Sequence, residues 1–182
     1  MSKNVTKQIV FSAMAIALAT VISVVVKLPS LPNGGSVTLF SMLMITLIGY
    51  WYGAKMGLCA AVAYGIIQYF VGPYAIHPLQ VLLDYPLAFG ALGLSGFFSN
   101  AKHGLIKGYL AGVIGRYAVH MVSGLIFYTA YTGSFVENKA AVIAAFTYNA
   151  TYIVPEAVLT LVLLSIPAIK NALVHVKKLA LS

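Results

Sequence analysis

The sequence predicts an all-α integral membrane protein with six transmembrane helices and both termini in the cytoplasm. Of its 182 residues, 61% are hydrophobic and only 8% are charged, whereas a soluble domain carries about 25% charged residues. Apolar runs close to the length of a bilayer recur along the chain. The lysines fall singly at the ends of these runs, which is typical of helix ends at a membrane face and not of a nucleic-acid-binding surface. We therefore expect a single transmembrane domain over residues 1–182.

Six apolar segments can be followed in order, since a spanning helix needs about 20 mostly apolar residues. A loop with two prolines and Asn-Gly-Gly follows the first segment, and a turn of three residues separates the second from the third. The sixth segment is longer than a bilayer requires, and we expect Pro155 to interrupt it; the tail NALVHVKKLALS follows it. The predicted spans are Val5–Val26, Val37–Tyr52, Met56–Val71, Pro78–Phe98, Gly108–Tyr131 and Ala140–Ile169.

The distribution of lysines predicts the orientation of the chain. An even number of spans places both termini on one side of the membrane. Eight lysines lie on that side and two on the other, so the positive-inside rule places the termini in the cytoplasm. The loops after segments one, three and five then face outside, and we expect the loop at residues 29–36 to contribute to a lid over an outward-facing pocket.

Asp84 is the most informative residue of the chain. It lies in the apolar stretch of residues 72–96 and is one of only three acidic residues. A carboxylate within a membrane span costs on the order of 2–4 kcal/mol. Tyr74 and Tyr85 lie near it in the sequence. A bound cation or a proton would neutralise Asp84, and the first alternative predicts a site for a small cationic ligand.

Polar residues on the last two segments are predicted to reach a similar depth in the membrane, and such groups normally face the protein interior. Segment five presents one helix face with Arg116, His120, Gly124 and Tyr128. Segment six presents another with Asn149, Tyr152 and Glu156. We expect Arg116 and Glu156 to form a structural ion pair. His120 and Asn149 either contact a ligand or bond between helices, and the tyrosines either line the site or form an interfacial belt.

No pattern in the sequence predicts catalysis or metal binding. The single cysteine, Cys59, excludes a cysteine metal cluster, and the four histidines are scattered over both faces and the interior. No nucleophile elbow, zinc motif or ATP-binding loop occurs. We therefore predict no catalytic residues, no metal and no cofactor, so that energy for any transport comes from another subunit or from a gradient.

Segment one carries small residues at helical spacing. Ala15 and Ala19 form one small-xxx-small pair, and Ala13 and Ala17 form another. Such a pair lets a neighbouring helix approach closely. That neighbour is either part of the same bundle or a partner protein.

These features together resemble a known family, the thiamine-specific S-components of energy-coupling factor (ECF) transporters. The resemblance runs over nearly the whole chain. It is carried by the alanine-rich first helix and by the blocks GGSVTLFSM, GPYAIHPLQVLLDYPLAFGALGLSG, GRYAVHMVSG and YNATYIVPE.

The resemblance implies a high-affinity thiamine-binding subunit in a bacterial cell membrane. It would deliver thiamine inward with a transmembrane coupling subunit and two ATP-binding subunits, and these partners would use the ATP. It further implies that the coupling subunit docks on Ala15 and Ala19. The only tryptophan, Trp51, lies far from the predicted pocket, so we expect Tyr148 or Tyr152 to supply an aromatic wall. The implied ligand-binding residues are Tyr74, Asp84, Tyr85, His120, Gly124, Tyr128, Tyr148 and Asn149.

Three alternatives remain open on the sequence alone. The chain could be an S-component for another vitamin or a pyrimidine precursor. It could be a small transporter that needs no partner. An intramembrane enzyme is the third alternative, although the sequence offers no catalytic constellation for it.

Overall fold

The computed structural model describes residues 3–26, 28, 31, 35–132 and 138–182. Their regular structure is helical. Seven helices follow one another in this part of the chain: α1 Lys3–Val25, α2 Ser41–Tyr52, α3 Ala54–Val71, α4 Pro78–Phe98, α5 Gly104–Thr132, α6 Asn138–Ser165 and α7 Pro167–Leu181.

Five of these helices are long and apolar enough to cross a membrane, as far as the structure describes the chain. They are α1, α3, α4, α5 and α6. Helix α2 is apolar but has only 12 residues. It is the most enclosed element, and Met42, Ile45 and Ile48 are fully buried in it. A short helix can contribute to such a bundle because its neighbours, and not lipid, surround it.

Helix α2 begins four residues later than predicted, at Ser41 and not at Val37. The preceding segment pairs with the residues just after α1, since the Val37 carbonyl accepts a hydrogen bond from the Leu28 amide at 3.0 Å and the Leu39 amide donates to the Val26 carbonyl at 3.1 Å. Phe40 then adopts a left-handed conformation, with φ of 69°. These long-range hydrogen bonds override the apolar pattern that favoured a helix.

Helix α4 combines several helical forms. It is α-helical over Pro78–Leu82, a π-helix over Leu83–Leu87, α-helical over Ala88–Gly90 and a 3₁₀-helix over Ala91–Phe98. The π-helical turn contains Pro86, which has no amide hydrogen to donate. Such turns are frequent at functional sites, and this one carries Asp84.

Helix α6 runs through Pro155 to Ser165, so the interruption predicted at Pro155 is wrong. A membrane helix tolerates a proline when neighbouring groups satisfy the backbone. The break occurs at Ile166, which is extended with ψ of 120°, because Pro167 disfavours a helical conformation in the residue before it. The predicted tail is a further helix, α7.

Candidate ligand-binding site

A cavity of about 470 Å³ lies between α1, α3, α4, α5, α6 and the segment that precedes α2, near the C-terminal end of α3 and the beginning of α4. The structure brings seven of the eight predicted ligand-binding residues to its wall. These are Tyr74, Asp84, Tyr85, His120, Gly124, Tyr148 and Asn149. The side chain of the eighth, Tyr128, lies outside the described residues.

Asp84 and His120 meet at the cavity wall. Nδ1 of His120 lies 3.1 Å from Oδ1 of Asp84, and the two side chains are 10% and 20% exposed. The π-helical turn of α4 carries the carboxylate, and the middle of α5 carries the imidazole. Within the described ranges, Asp84 forms no ion pair with a lysine or arginine. Its negative charge is therefore available to a cation in the cavity.

Tyr85 links the loop between α3 and α4 to the helix that follows. Its hydroxyl accepts a hydrogen bond from the Tyr74 amide at 2.8 Å and donates to the Gly72 carbonyl at 2.9 Å. Its ring packs edge-on against Tyr69, with centroids 5.2 Å apart. Tyr85 thereby holds the loop that carries Tyr74 at the edge of the cavity.

Asn149 occupies the α6 side of the cavity and is anchored on both helices. Its Nδ2 donates to the Ala145 carbonyl at 2.9 Å and to the His120 carbonyl at 3.3 Å. Its Oδ1 accepts a hydrogen bond from the Tyr152 hydroxyl. Asn149 thus joins α5 to α6 directly behind His120. It forms the hydrogen bond between helices that the sequence left open as an alternative to a ligand contact.

The segment just before α2 closes another side of the cavity. The Gly35 amide donates to the Tyr148 hydroxyl at 2.8 Å. A Cβ at Gly35 would lie 2.8 Å from that hydroxyl, which is too close for any other residue in this arrangement. At Gly124, a Cβ would meet the Ala145 side chain at 3.0 Å. Gly124 therefore lets α5 and α6 approach closely beside the cavity.

The ion pair predicted between Arg116 and Glu156 is not formed. The Glu156 carboxylate instead accepts hydrogen bonds of 3.0–3.1 Å from Thr38, Ser41 and the Met42 amide. Arg116 lies 4.2 Å from the centroid of the Phe89 ring, and its Nε points to Nε2 of His120 at 3.5 Å. The carboxylate obtains three donors at the beginning of α2, which the sequence spacing could not reveal.

The docking pair predicted on α1 faces the wrong way. Ala15 is 5% exposed and Ala19 is fully buried, and the Ala19 carbonyl accepts a hydrogen bond from Tyr64 at 3.4 Å. They serve packing within the bundle and are inaccessible to a partner. Ala13 and Ala17 are the exposed pair.

Several residues of the cavity wall were not singled out by the sequence. Gln68 donates to the Ser23 hydroxyl at 2.9 Å, and Gln80 accepts from the Ile76 amide at 3.0 Å. Phe89 lies beneath Arg116. The two glutamines were detectable, because amides inside apolar segments normally face the protein interior. Nothing in the sequence distinguishes Phe89 from the other apolar residues.

The cavity wall offers the Asp84 carboxylate, the Arg116 guanidinium, the His120 imidazole and several aromatic rings. This combination suits a small organic cation with a hydrogen-bonding edge, because aromatic faces and a carboxylate both attract positive charge. Within the described residues, no group of three or more His, Cys, Asp or Glu side chains is arranged to hold a metal ion.

Comparison with known proteins gives a consistent result. The family described as thiamine transporter protein (Thia_YuaJ) matches residues 9–176. The thiamine transporter ThiT of Bacillus subtilis is 34% identical over 181 residues, which covers 88% of this chain and 91% of that protein. ThiT of Lacticaseibacillus paracasei is 31% identical over 94 residues, 44% of this chain and 45% of that protein. A solved structure of ThiT from Listeria monocytogenes shares the fold, with a TM-score of 0.58 at 20% identity over 97% of this chain and 92% of that one.

Proposed function

The chain belongs to the thiamine transporter protein family, and we propose that it is the thiamine-binding subunit, or S-component, of an ECF importer. Its relatives are transporters, so the alternative of an intramembrane enzyme is excluded. In this proposal the protein binds thiamine from outside with high affinity, and partner subunits supply the energy.

The Asp84–His120 pair at the cavity wall carries the proposal. Thiamine has a permanent positive charge on its thiazolium ring and an aminopyrimidine with donor and acceptor atoms. The Asp84 carboxylate forms no ion pair with a lysine or arginine among the described residues, and it suits the positively charged thiazolium ring. Aromatic rings suit it as well, at about 0.5–2 kcal/mol for each cation–π contact. The His120 ring packs edge-on against Tyr152 with centroids 5.9 Å apart, which supports a rigid wall for a planar ligand.

The contacts support a division of roles among the site residues. We assign Asp84, His120 and Tyr74 to direct contact with thiamine. Tyr85 and Asn149 hold the walls in place through their hydrogen bonds to backbone, and both line the cavity. Tyr148 supplies an aromatic face while its hydroxyl secures Gly35. Gly124 lets α5 and α6 approach closely beside the ligand. The sequence pattern of α5 places Tyr128 on the same helix face, and we propose it as a further ligand contact.

Delivery inward requires partners. We propose a transmembrane coupling subunit and two ATP-binding subunits, in a bacterial cell membrane, with six spans in a single domain and both termini in the cytoplasm. Because Ala15 and Ala19 are buried, the docking surface for the coupling subunit includes Ala13 and Ala17, on the exposed side of α1. Small residues there permit close approach of another helix.

Calorimetric titration of the purified protein tests the ligand. We expect one-to-one binding of thiamine and weaker or no binding of other vitamins and of the isolated pyrimidine precursor. Tight binding of another compound in preference to thiamine would replace the proposed specificity. Uptake into liposomes that contain this protein alone would favour a self-sufficient transporter, whereas the proposal requires the partner subunits and ATP.

A further inference from the structure

A second cavity, of about 200 Å³, lies at the other end of the bundle. It is formed where the end of α2, the loop before α5, the beginning of α5, the end of α6 and the beginning of α7 meet. Most of its wall is apolar, and it includes two basic side chains, His103 and Lys170. None of the residues assigned to the thiamine site takes part in it.

Helix α7 is held across this end of the bundle. The Tyr52 hydroxyl donates to the Ala180 carbonyl at 3.2 Å. Lys177 donates to the Ser99 carbonyl at 3.1 Å, and its Nζ lies 3.6 Å from the Tyr50 ring centroid. The outer side of α7 nevertheless exposes Val174 together with basic residues. A helix with this mixture, directly after a spanning helix, is typical of one that lies at a membrane interface.

The two lysines near the second cavity, Lys170 and Lys177, differ in their contacts with the rest of the protein. Lys177 is engaged by Ser99 and Tyr50. Lys170 is exposed, and its ammonium group has no hydrogen-bond or ion-pair partner in the described ranges. The sequence contains no acidic residue in residues 101–106 or 164–174, which supply all of the lining residues except Tyr50. The cavity therefore presents a positive charge that the chain does not neutralise.

We propose that the second cavity binds the headgroup of an anionic phospholipid, with Lys170 at the phosphodiester and the apolar wall against the adjoining glycerol and first acyl carbons. The apolar lining favours a lipid over free phosphate, because inorganic phosphate gains nothing from contact with Leu105, Leu164 and Leu173. Ile106 and Val174 of the wall are 37% and 47% exposed, so the cavity adjoins surface that lipid covers. Basic pockets between membrane helices bind anionic headgroups in this way.

Native mass spectrometry of the full chain in a neutral detergent tests this site. The probes are phosphatidylglycerol, phosphatidylcholine with the same acyl chains, and inorganic phosphate. Lys170→Gln removes the charge at the cavity. Lys178→Gln is the matched control, since it removes one lysine of the same helix that does not line the cavity. Both lysines are exposed, so neither variant should prevent folding.

We expect phosphatidylglycerol to bind in preference to phosphatidylcholine. Lys170→Gln should weaken the binding of phosphatidylglycerol about fivefold, the ratio that corresponds to ~1 kcal/mol for one cation near a phosphate. Lys178→Gln should leave the preference unchanged. Equal retention of the two lipids, or equal losses in the two variants, would overturn the proposal. Displacement of the lipid by an equimolar amount of inorganic phosphate would show a phosphate site instead of a lipid site.

Discussion

Asp84→Asn provides the most direct test of the thiamine site. Asparagine has nearly the same shape as aspartate, and its Oδ1 can still accept the hydrogen bond that Nδ1 of His120 makes at 3.1 Å. The substitution therefore removes the negative charge of the cavity wall with little change in packing. Because the Asp84 side chain is only 20% exposed, water screens its interaction with a bound cation only in part.

The expected loss of affinity follows from this geometry. Two opposite charges about 4 Å apart attract by about 4 kcal/mol at an effective dielectric constant of about 20. The free protein recovers part of this energy when the carboxylate is solvated, so we expect a net loss of about 3 kcal/mol. This corresponds to a roughly 150-fold increase in the Kd for thiamine.

The assay is calorimetric titration of both proteins with thiamine and with a neutral analogue that has a thiophene ring in place of the thiazolium. If Asp84 acts through its charge, the substitution strongly weakens the binding of thiamine and hardly affects the binding of the neutral analogue. The difference between the two losses of binding free energy is the coupling energy between the two charges. Equal losses for the two ligands would refute the electrostatic role. Unchanged binding of thiamine would remove Asp84 from the site.

Four further predictions follow from the same structure. Glu156→Gln should lower the melting temperature, because one amide cannot accept all three hydrogen bonds that the carboxylate now accepts; we expect a loss of about 1–3 kcal/mol, and an unchanged thermal unfolding curve would contradict it. Tyr148→Phe removes the acceptor for the Gly35 amide and should speed dissociation of labelled thiamine about fivefold, which corresponds to ~1 kcal/mol. The control Tyr117→Phe loses a hydrogen bond to the Phe146 carbonyl and should leave the dissociation rate unchanged. Equal rates in the two variants would argue against a role for the contact between Tyr148 and Gly35. Thiamine diphosphate should bind more weakly than thiamine because its phosphates bring negative charge toward Asp84, and equal affinities in calorimetry would rule this out. Ala17→Trp should reduce ATP-driven uptake in vesicles that contain the partner subunits and should preserve thiamine binding. Ala19→Trp should instead destabilise the fold, because Ala19 is fully buried. If Ala19→Trp reduced uptake without destabilising the fold and Ala17→Trp had no effect, the docking surface would be Ala15 and Ala19.

The amino-acid sequence by itself determined the class of the protein and the family to which it belongs. A chain with so few charged residues cannot cover a water-facing surface, and its apolar runs predicted the five long spans closely. The isolated carboxylate at Asp84 and the face of α5 with His120 also indicated the ligand-binding region. These inferences succeed because a polar group in an apolar span has few acceptable places other than the interior.

Only the tertiary structure decided which face of α1 points inward and which donors the Glu156 carboxylate meets. The pairs Ala13–Ala17 and Ala15–Ala19 have the same spacing, so the spacing alone does not select the exposed pair. Glu156 likewise obtained its donors from the beginning of α2, more than a hundred residues away. The rotation of a membrane helix and the partners of a buried carboxylate depend on packing between distant segments, and helical spacing does not contain that information.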